Sequence, residues 1–187
     1  MEVLMEGDIL LWIQDNMRND FLDVIMKAIT RLGNGGLIWI VLAILLLMFP
    51  KYRYAGVASA ISMILTLLTV NVLIKNLVAR VRPYEVVEGL NRIIEKQSDF
   101  SFPSGHSAHA FAVAVVVFIM LPKKFGIPAL VLAFLMAFSR LYVGVHYPTD
   151  VIAGVLIGAV LAILSVCIAK KIQKKLSRDD EVIEEGK

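Results

Sequence analysis

VIAGVLIGAVLAILSVCIA, Val151 to Ala169, runs the length of a bilayer core without one charged side chain. A membrane-crossing helix needs about 20 mostly apolar residues, so this stretch sets the fold class as helical and membrane-embedded. Within it, Gly154 and Gly158 have the four-residue spacing of small residues that lets two helices approach closely. That spacing suits packing inside a bundle, with a dimer face as the other use. Cys167 is the only cysteine, so no intrachain disulfide is available, and it reads as a small apolar-facing side chain.

Four more apolar runs precede it: Leu37–Phe49, Ala55–Ile74, Ala108–Leu121 and Ile127–Ser139. Three of them are shorter than a bilayer core, so their helices must extend into flanking polar residues. The composition agrees. Apolar residues make up 58% of the 187 and the mean hydropathy is +0.76, above the roughly 45–50% of soluble domains. The expected architecture is an all-α polytopic bundle of about five transmembrane helices, one domain in size. Its core is residues 37–169.

Residues 1–36 differ. Between Asp8 and Leu32, apolar Leu11, Ile25, Met26 and Ile29 alternate with Asp15, Arg18, Asp20, Asp23 and Lys27. This pattern predicts amphipathic helices at the membrane interface, broken near Asn19, rather than a sixth span. Gly33–Gly36 is the joint into the first span. The first apolar stretch, Ile9 to Ile13, is short and lacks a basic flank, so no cleaved signal peptide is expected. Residues 170–187 form a charged tail, basic from Lys170 to Arg178 and acidic after Asp179.

Loop charge orients the bundle. Lys51 and Arg53, then Lys123 and Lys124, then the basic tail fall on one side of a five-span chain. Positive residues favour the cytoplasm, which places both large loops on the extracytoplasmic side. The net charge of +3 is small, and no signature for nucleic acid is present.

Those large loops hold the chemistry. In Lys75–Pro83 (KNLVARVRP), Lys75 and Arg82 are seven residues apart, about 20° from alignment on a continuous helix. Pro83 favours leaving the helix there. In Pro103–His106 (PSGH), Ser104 suits an N-cap and Gly105 admits a ligand close to backbone. The start of the helix that follows attracts anions, and His106 in its first turn is placed to move a proton. His109, one turn on, reads as a packing or hydrogen-bonded histidine. In Ser139–Asp150 (SRLYVGVHYPTD), Asp150 is four residues after His146 and placed to accept its Nδ1–H, leaving Nε2 as a nucleophile. Alone, each segment has a structural explanation: snorkelling cations, a capped helix, a His–Asp cap. Together, three cations (Lys75, Arg82, Arg140), a helix start and two histidines match phosphoryl transfer, which depends on positioning and charge. No carboxylate cluster for Mg²⁺ and no zinc spacing is present, so chemistry without metal or cofactor is expected.

The chain resembles the type 2 phosphatidic acid phosphatase superfamily of membrane lipid phosphatases. That pattern is Lys-x6-Arg-Pro, Pro-Ser-Gly-His, then Ser-Arg-x5-His-x3-Asp, and every element occurs here between Lys75 and Asp150. Many such proteins carry six spans, one more than read here. The resemblance implies that Lys75, Arg82, Ser104, Gly105 and Arg140 hold phosphate. It implies that His146 forms a phosphohistidine oriented by Asp150, and that His106 protonates the leaving group and then activates water. Short bacterial-type members resemble undecaprenyl pyrophosphate phosphatases, which implies a lipid phosphate as partner, in a cytoplasmic membrane, with the site facing outward. Phosphatidylglycerol phosphate and phosphatidic acid are the alternatives. A diphosphate calls for further cations, for which Arg80, Arg92 and Lys96 are at hand. The rival readings are a non-catalytic transporter or scaffold, which intact His106, His146 and Asp150 oppose, and a vanadate-dependent haloperoxidase, a soluble class that the spans oppose. Oligomeric state is not legible. Thr66, Thr69 and Asn71 are expected to bond to neighbouring helices.

Overall fold

The computed structural model describes residues 2–185, with side chains for 5–178. The acidic end of the tail, 179–187, lies outside the described side chains. Helix α1 spans Glu2–Met17 and α2 spans Asp20–Leu32. The break falls at Asn19, whose extended backbone and Oδ1, accepting Leu22 N at 3.0 Å, start α2. Asp20 and Asp23 in its first turn and Arg31 in its last complement the helix dipole.

A short 3₁₀ turn, Asn34–Gly36, leads into α3, Leu37–Met48. Gly35 and Gly36 take φ of 59° and 71°, backbone that favours glycine, and the chain bends by 50° there. Helix α4, Arg53–Thr66, widens into π-helical turns over Leu67–Ile74 and tightens again as α5, Lys75–Val78. Then come a short α6, Pro83–Val86, α7, Gly105–Met120, α8, Lys123–Tyr142, and α9, Pro148–Glu185.

All five apolar runs are helical, and the chain is a membrane protein with an all-helical fold. Among the described residues, three helical tracts are long and apolar enough to cross a bilayer: Arg53–Val86, Lys123–Tyr142 and Pro148–Arg178. The bent α2–α3 pair counts as a fourth if it is one span. Helix α7 is shorter than a span and sits at the centre, packed against α9, α8 and α4. Its residues Ala108, Ala110–Ala114, Val116 and Val117 are all buried. Such an alanine- and valine-rich helix has no face for solvent, and its small side chains bring neighbours close.

The closest approach is to α9. A Cβ on Gly154 would strike the Ser104 carbonyl, and one on Gly158 the Ala108 carbonyl. The glycine pair therefore serves packing within the bundle. The opposite face of α9, Ile152, Leu156, Val160 and Ile163, is exposed, as a lipid-facing stripe should be. Thr66 and Asn71 do not bond across helices as expected: Thr66 Oγ1 and Asn71 Oδ1 are buried without partners, in and beside the π-helical stretch. Wide π turns rotate side chains out of the register that a regular helix gives, and they recur at functional sites.

The two ends of the bundle differ in chemistry. The Tyr52 and Phe125 rings pack 6.3 Å apart, joining the α3–α4 loop to the start of α8. Lys51, Arg53, Lys123 and Lys124 therefore share one end. The three motif segments share the other.

Candidate active site

The seven-residue spacing of Lys75 and Arg82 brings them together by another route than a shared helix face. The helix stops at Val78. Ala79 turns left-handed at φ 49°, its N–H reaching Lys75 O at 3.0 Å. Pro83 keeps Arg82 extended, at ψ 150°. Both cations are buried, and they meet through a carboxylate. Lys75 Nζ donates to Asp99 Oδ2, and also to Phe100 O at 2.8 Å. Arg82 Nη2 donates to Asp99 Oδ1 at 2.5 Å and Nε to Asp99 O at 2.9 Å. Its Nη1 reaches Val145 O at 2.8 Å and stands 3.2 Å from His146 Nε2.

Asp99 belongs to none of the three motif segments. Its signal is charge balance: three clustered cations near a membrane need more than Asp150, and Asp99 lies five residues before Ser104 in the same loop. Burial pushes its carboxyl up, but Lys75 and Arg82 outweigh that and hold it at about 2.

At the start of α7, Ser104 is the N-cap, and its Oγ accepts from Ser107 Oγ at 2.9 Å. Gly105 faces Asn71, whose amide nitrogen would stand 3.3 Å from a Cβ there. One ring nitrogen of His106, Nε2, pairs with Asn34 Oδ1 at 3.1 Å. The α2–α3 joint is made close to this ring: a Cβ on Gly33 would collide with His106 and Met136. His109 Nδ1 donates to Gly105 O at 2.9 Å.

His146 follows Gly144, which turns at φ 76°, and Asp150 lies in the first turn of α9. Asp150 is fully buried. Its Oδ2 accepts from Ser101 Oγ at 2.5 Å and Tyr147 N at 2.9 Å, and lies 3.4 Å from His146 Nδ1. Its Oδ1 accepts from Arg80 Nη1 at 2.7 Å. Burial, then the charges of Arg82, Arg140 and Lys75, push the His146 imidazole well below its usual range. At neutral pH its ring is uncharged, with a lone pair to offer.

These groups enclose a cavity of about 230 Å³. Arg82, Gly105, His106, Arg140 and His146 line it, with Asp99, Gln97 and Asn71. Lys75, Ser104 and Asp150 are not among the lining residues but touch or adjoin one each: Asp99, Gly105 and His146. Arg140 is buried and makes no ion pair among the described residues. Its Nη1 donates to Thr30 Oγ1 at 2.5 Å, its Nη2 reaches Gln97 Oε1 at 3.5 Å, and its Nε has no partner.

Arg80, Arg92 and Lys96 do not line this cavity; Arg80 and Lys96 border an adjoining one that shares Arg82, Gln97 and Asp99 with it. Arg80 is engaged with Asp150 and Glu6, exposed Lys96 with Glu85 at 2.8 Å, and Arg92 lies over the Tyr84 ring. On its bilayer side the cavity meets an apolar groove of about 320 Å³ between α3 and α4. Gly35, Leu67 and His109 line both, and Ile40, Ile44, Leu47, Met63 and Ile64 continue the groove.

Cations, a helix start and paired histidines around one cavity at the end of a membrane bundle define an integral-membrane phosphatase. Sequence and structure comparisons agree. A family model described as the PAP2 superfamily matches residues 55–174. An undecaprenyl-diphosphatase of Sulfolobus acidocaldarius is 37% identical, over 74% of this chain and 69% of its own length. The crystal structure of a PAP2-type phosphatidylglycerolphosphate phosphatase from Bacillus subtilis superposes with a TM-score of 0.74 at 31% identity, covering 90% of this chain and 86% of that one. Aquifex aeolicus LpxE gives 0.70 at 30% identity, over 85% and 93%. The chain belongs to the PAP2 superfamily.

Proposed function

We propose that this enzyme removes phosphate from a lipid at the outer face of a bacterial-type cytoplasmic membrane, converting undecaprenyl pyrophosphate to undecaprenyl phosphate. His146 Nε2 attacks phosphorus, and the bond to the leaving oxygen breaks. His106 gives that oxygen its proton. The N–P bond of the phosphohistidine is then cleaved by water, from which His106 takes a proton, releasing inorganic phosphate. Lys75, Arg82 and Arg140, with Ser104 and Gly105 at the start of α7, hold the phosphoryl oxygens, and Asp150 stabilises the imidazolium. The scheme uses no metal and no cofactor.

The observation that carries this reading is Arg140, a buried guanidinium facing the cavity with no ion pair among the described residues. Burying an unpaired charge is expensive, and a bound phosphoryl group removes the expense. The apolar groove beside the cavity gives a lipid tail a path that stays in the bilayer. The S. acidocaldarius relative supports the diphosphate. A phosphomonoester, phosphatidylglycerol phosphate or phosphatidic acid, is the second reading, favoured by the absence of further cations lining the cavity among the described residues and by the B. subtilis neighbour. Phosphate release by the purified protein from the three lipids in matched micelles ranks them, with undecaprenyl pyrophosphate expected fastest. No release from any would leave only the non-catalytic reading.

The basic end of the bundle and the tail from residue 170 face the cytoplasm in this scheme, with residues 1–36 at the outer interface over the site. Glu88→Cys, on an exposed loop position, in a Cys167→Ser background, is expected to react with an impermeant maleimide on intact cells. Reaction only after lysis would reverse the orientation.

A further inference from the structure

One buried carboxylate has no part in that scheme. Glu6, on α1, is 8% exposed. Its Oε1 accepts from Thr149 N at 2.8 Å and Thr149 Oγ1 at 2.7 Å, and its Oε2 accepts from Arg80 Nη2 at 2.5 Å. Arg80 spends its other arm, Nη1, on Asp150 Oδ1 and Thr149 Oγ1, both at 2.7 Å. The guanidinium also lies over the Tyr147 ring, 3.9 Å from its centre. The connection thus runs from α1, through the break after α5, to the first turn of α9.

Fixing α1 to the bundle does not require these charges. Leu10 on the same helix is fully buried with Leu90 and Tyr147. A buried carboxylate–guanidinium–carboxylate set is also a poor stabiliser compared with apolar side chains of the same volume. Its distinctive property is geometry: a planar guanidinium sets two carboxylates at fixed angles. Asp150 Oδ2 is held by Ser101 Oγ and Tyr147 N, yet its contact to His146 Nδ1 is long, at 3.4 Å; Arg80 adds the bond to the other oxygen, Oδ1, that fixes the plane of the carboxylate.

We infer that Glu6 is a positioning residue for phosphoryl transfer, acting through Arg80 to hold Asp150 against His146. The inference rests on the roles proposed above for His146 and Asp150. Glu6 lines no part of the phosphate cavity, and Arg80, which borders only the adjoining cavity beside Arg82 and Asp99, has both arms committed to carboxylates, so their removal is expected to spare phosphate binding and slow the chemical step.

The test uses the full chain in detergent with phosphatidic acid as substrate and inorganic phosphate as competing ligand. Glu6→Ala and Arg80→Gln are each expected to lower kcat by about 10- to 100-fold, the scale of misaligned catalytic groups. KM and the inhibition constant of phosphate stay essentially unchanged. The double variant is expected to lose no more than Arg80→Gln alone, because both act along one path. Unchanged kcat in Glu6→Ala, losses that multiply, or a phosphate constant that weakens in step with kcat would each overturn the inference, the last by showing general loosening. If Glu6→Ala does not accumulate, Glu6→Gln, which still accepts from Thr149, is read against the same outcomes. His146→Ala serves as control. If it is inactive while Glu6→Ala and Arg80→Gln run at the wild-type rate, the inference fails alone. If it is active, the proposed mechanism fails first.

Discussion

His146→Ala is expected to abolish phosphate release, while excess EDTA leaves the wild-type rate unchanged. Losing the nucleophile of a covalent hydrolase costs on the order of 10⁴-fold or more in kcat. Among the described residues the other two histidines at the cavity have ring nitrogens engaged in the resting state: His109 Nδ1 donates to Gly105 O, and His106 Nε2 pairs with Asn34 Oδ1. The cations around His146 lower its proton affinity, and with Nδ1 facing Asp150 the atom proposed to attack is Nε2, 3.2 Å from Arg82 Nη1. Because its proton affinity is depressed, the acid limb of kcat/KM that reports this group lies below the ordinary imidazole value of about 6.5. Rapid quenching should trap a phosphoenzyme that survives alkali and decays in acid, as a phosphoramidate does, and none should form in His146→Ala. A working His146→Ala variant, or loss of activity in EDTA, would sink the mechanism.

His106→Ala has the next largest effect, and one that depends on substrate. A general acid contributes about 10²- to 10⁴-fold where the leaving group is a poor one. Phosphatidic acid, which releases an alkoxide, should lose nearly all of that. Undecaprenyl pyrophosphate, which releases a phosphate, should lose less, and p-nitrophenyl phosphate least. The ring is held through Asn34 on the α2–α3 joint, so Asn34→Ala should follow the same order with smaller losses. Equal losses across the series would remove His106 from the acid role and leave it as a binding group.

The sequence made the fold class legible because its signals are local. An apolar run of sufficient length admits few alternatives in a bilayer, and Asn19 breaks the N-terminal segment through its own side chain. The motifs named the residues around the cavity because their types are costly in an apolar chain. What stayed hidden depends on long-range or backbone geometry. The spacing of Lys75 and Arg82 suggests a shared helix face, but Ala79 turns left-handed and Pro83 holds Arg82 extended, so the two converge from a broken chain. The π-helical turns around Asn71 leave no mark in hydropathy. Arg80 reads as a spare cation until Glu6, 74 positions earlier, and Asp150, 70 later, are found on either side of it. Asp99 belongs to no motif and is identified only by the charges it meets.

Asp99 changes what binding means at this site. Lys75 and Arg82 already have a tethered counter-ion, so a phosphoryl group held by them as proposed would exchange with Asp99 rather than fill a bare electrostatic well. A dianion gains over a monoanionic carboxylate only through the extra charge and the oxygens that reach Arg140. On that reading, occupancy of the site requires an anion that competes with Asp99 for Lys75 and Arg82.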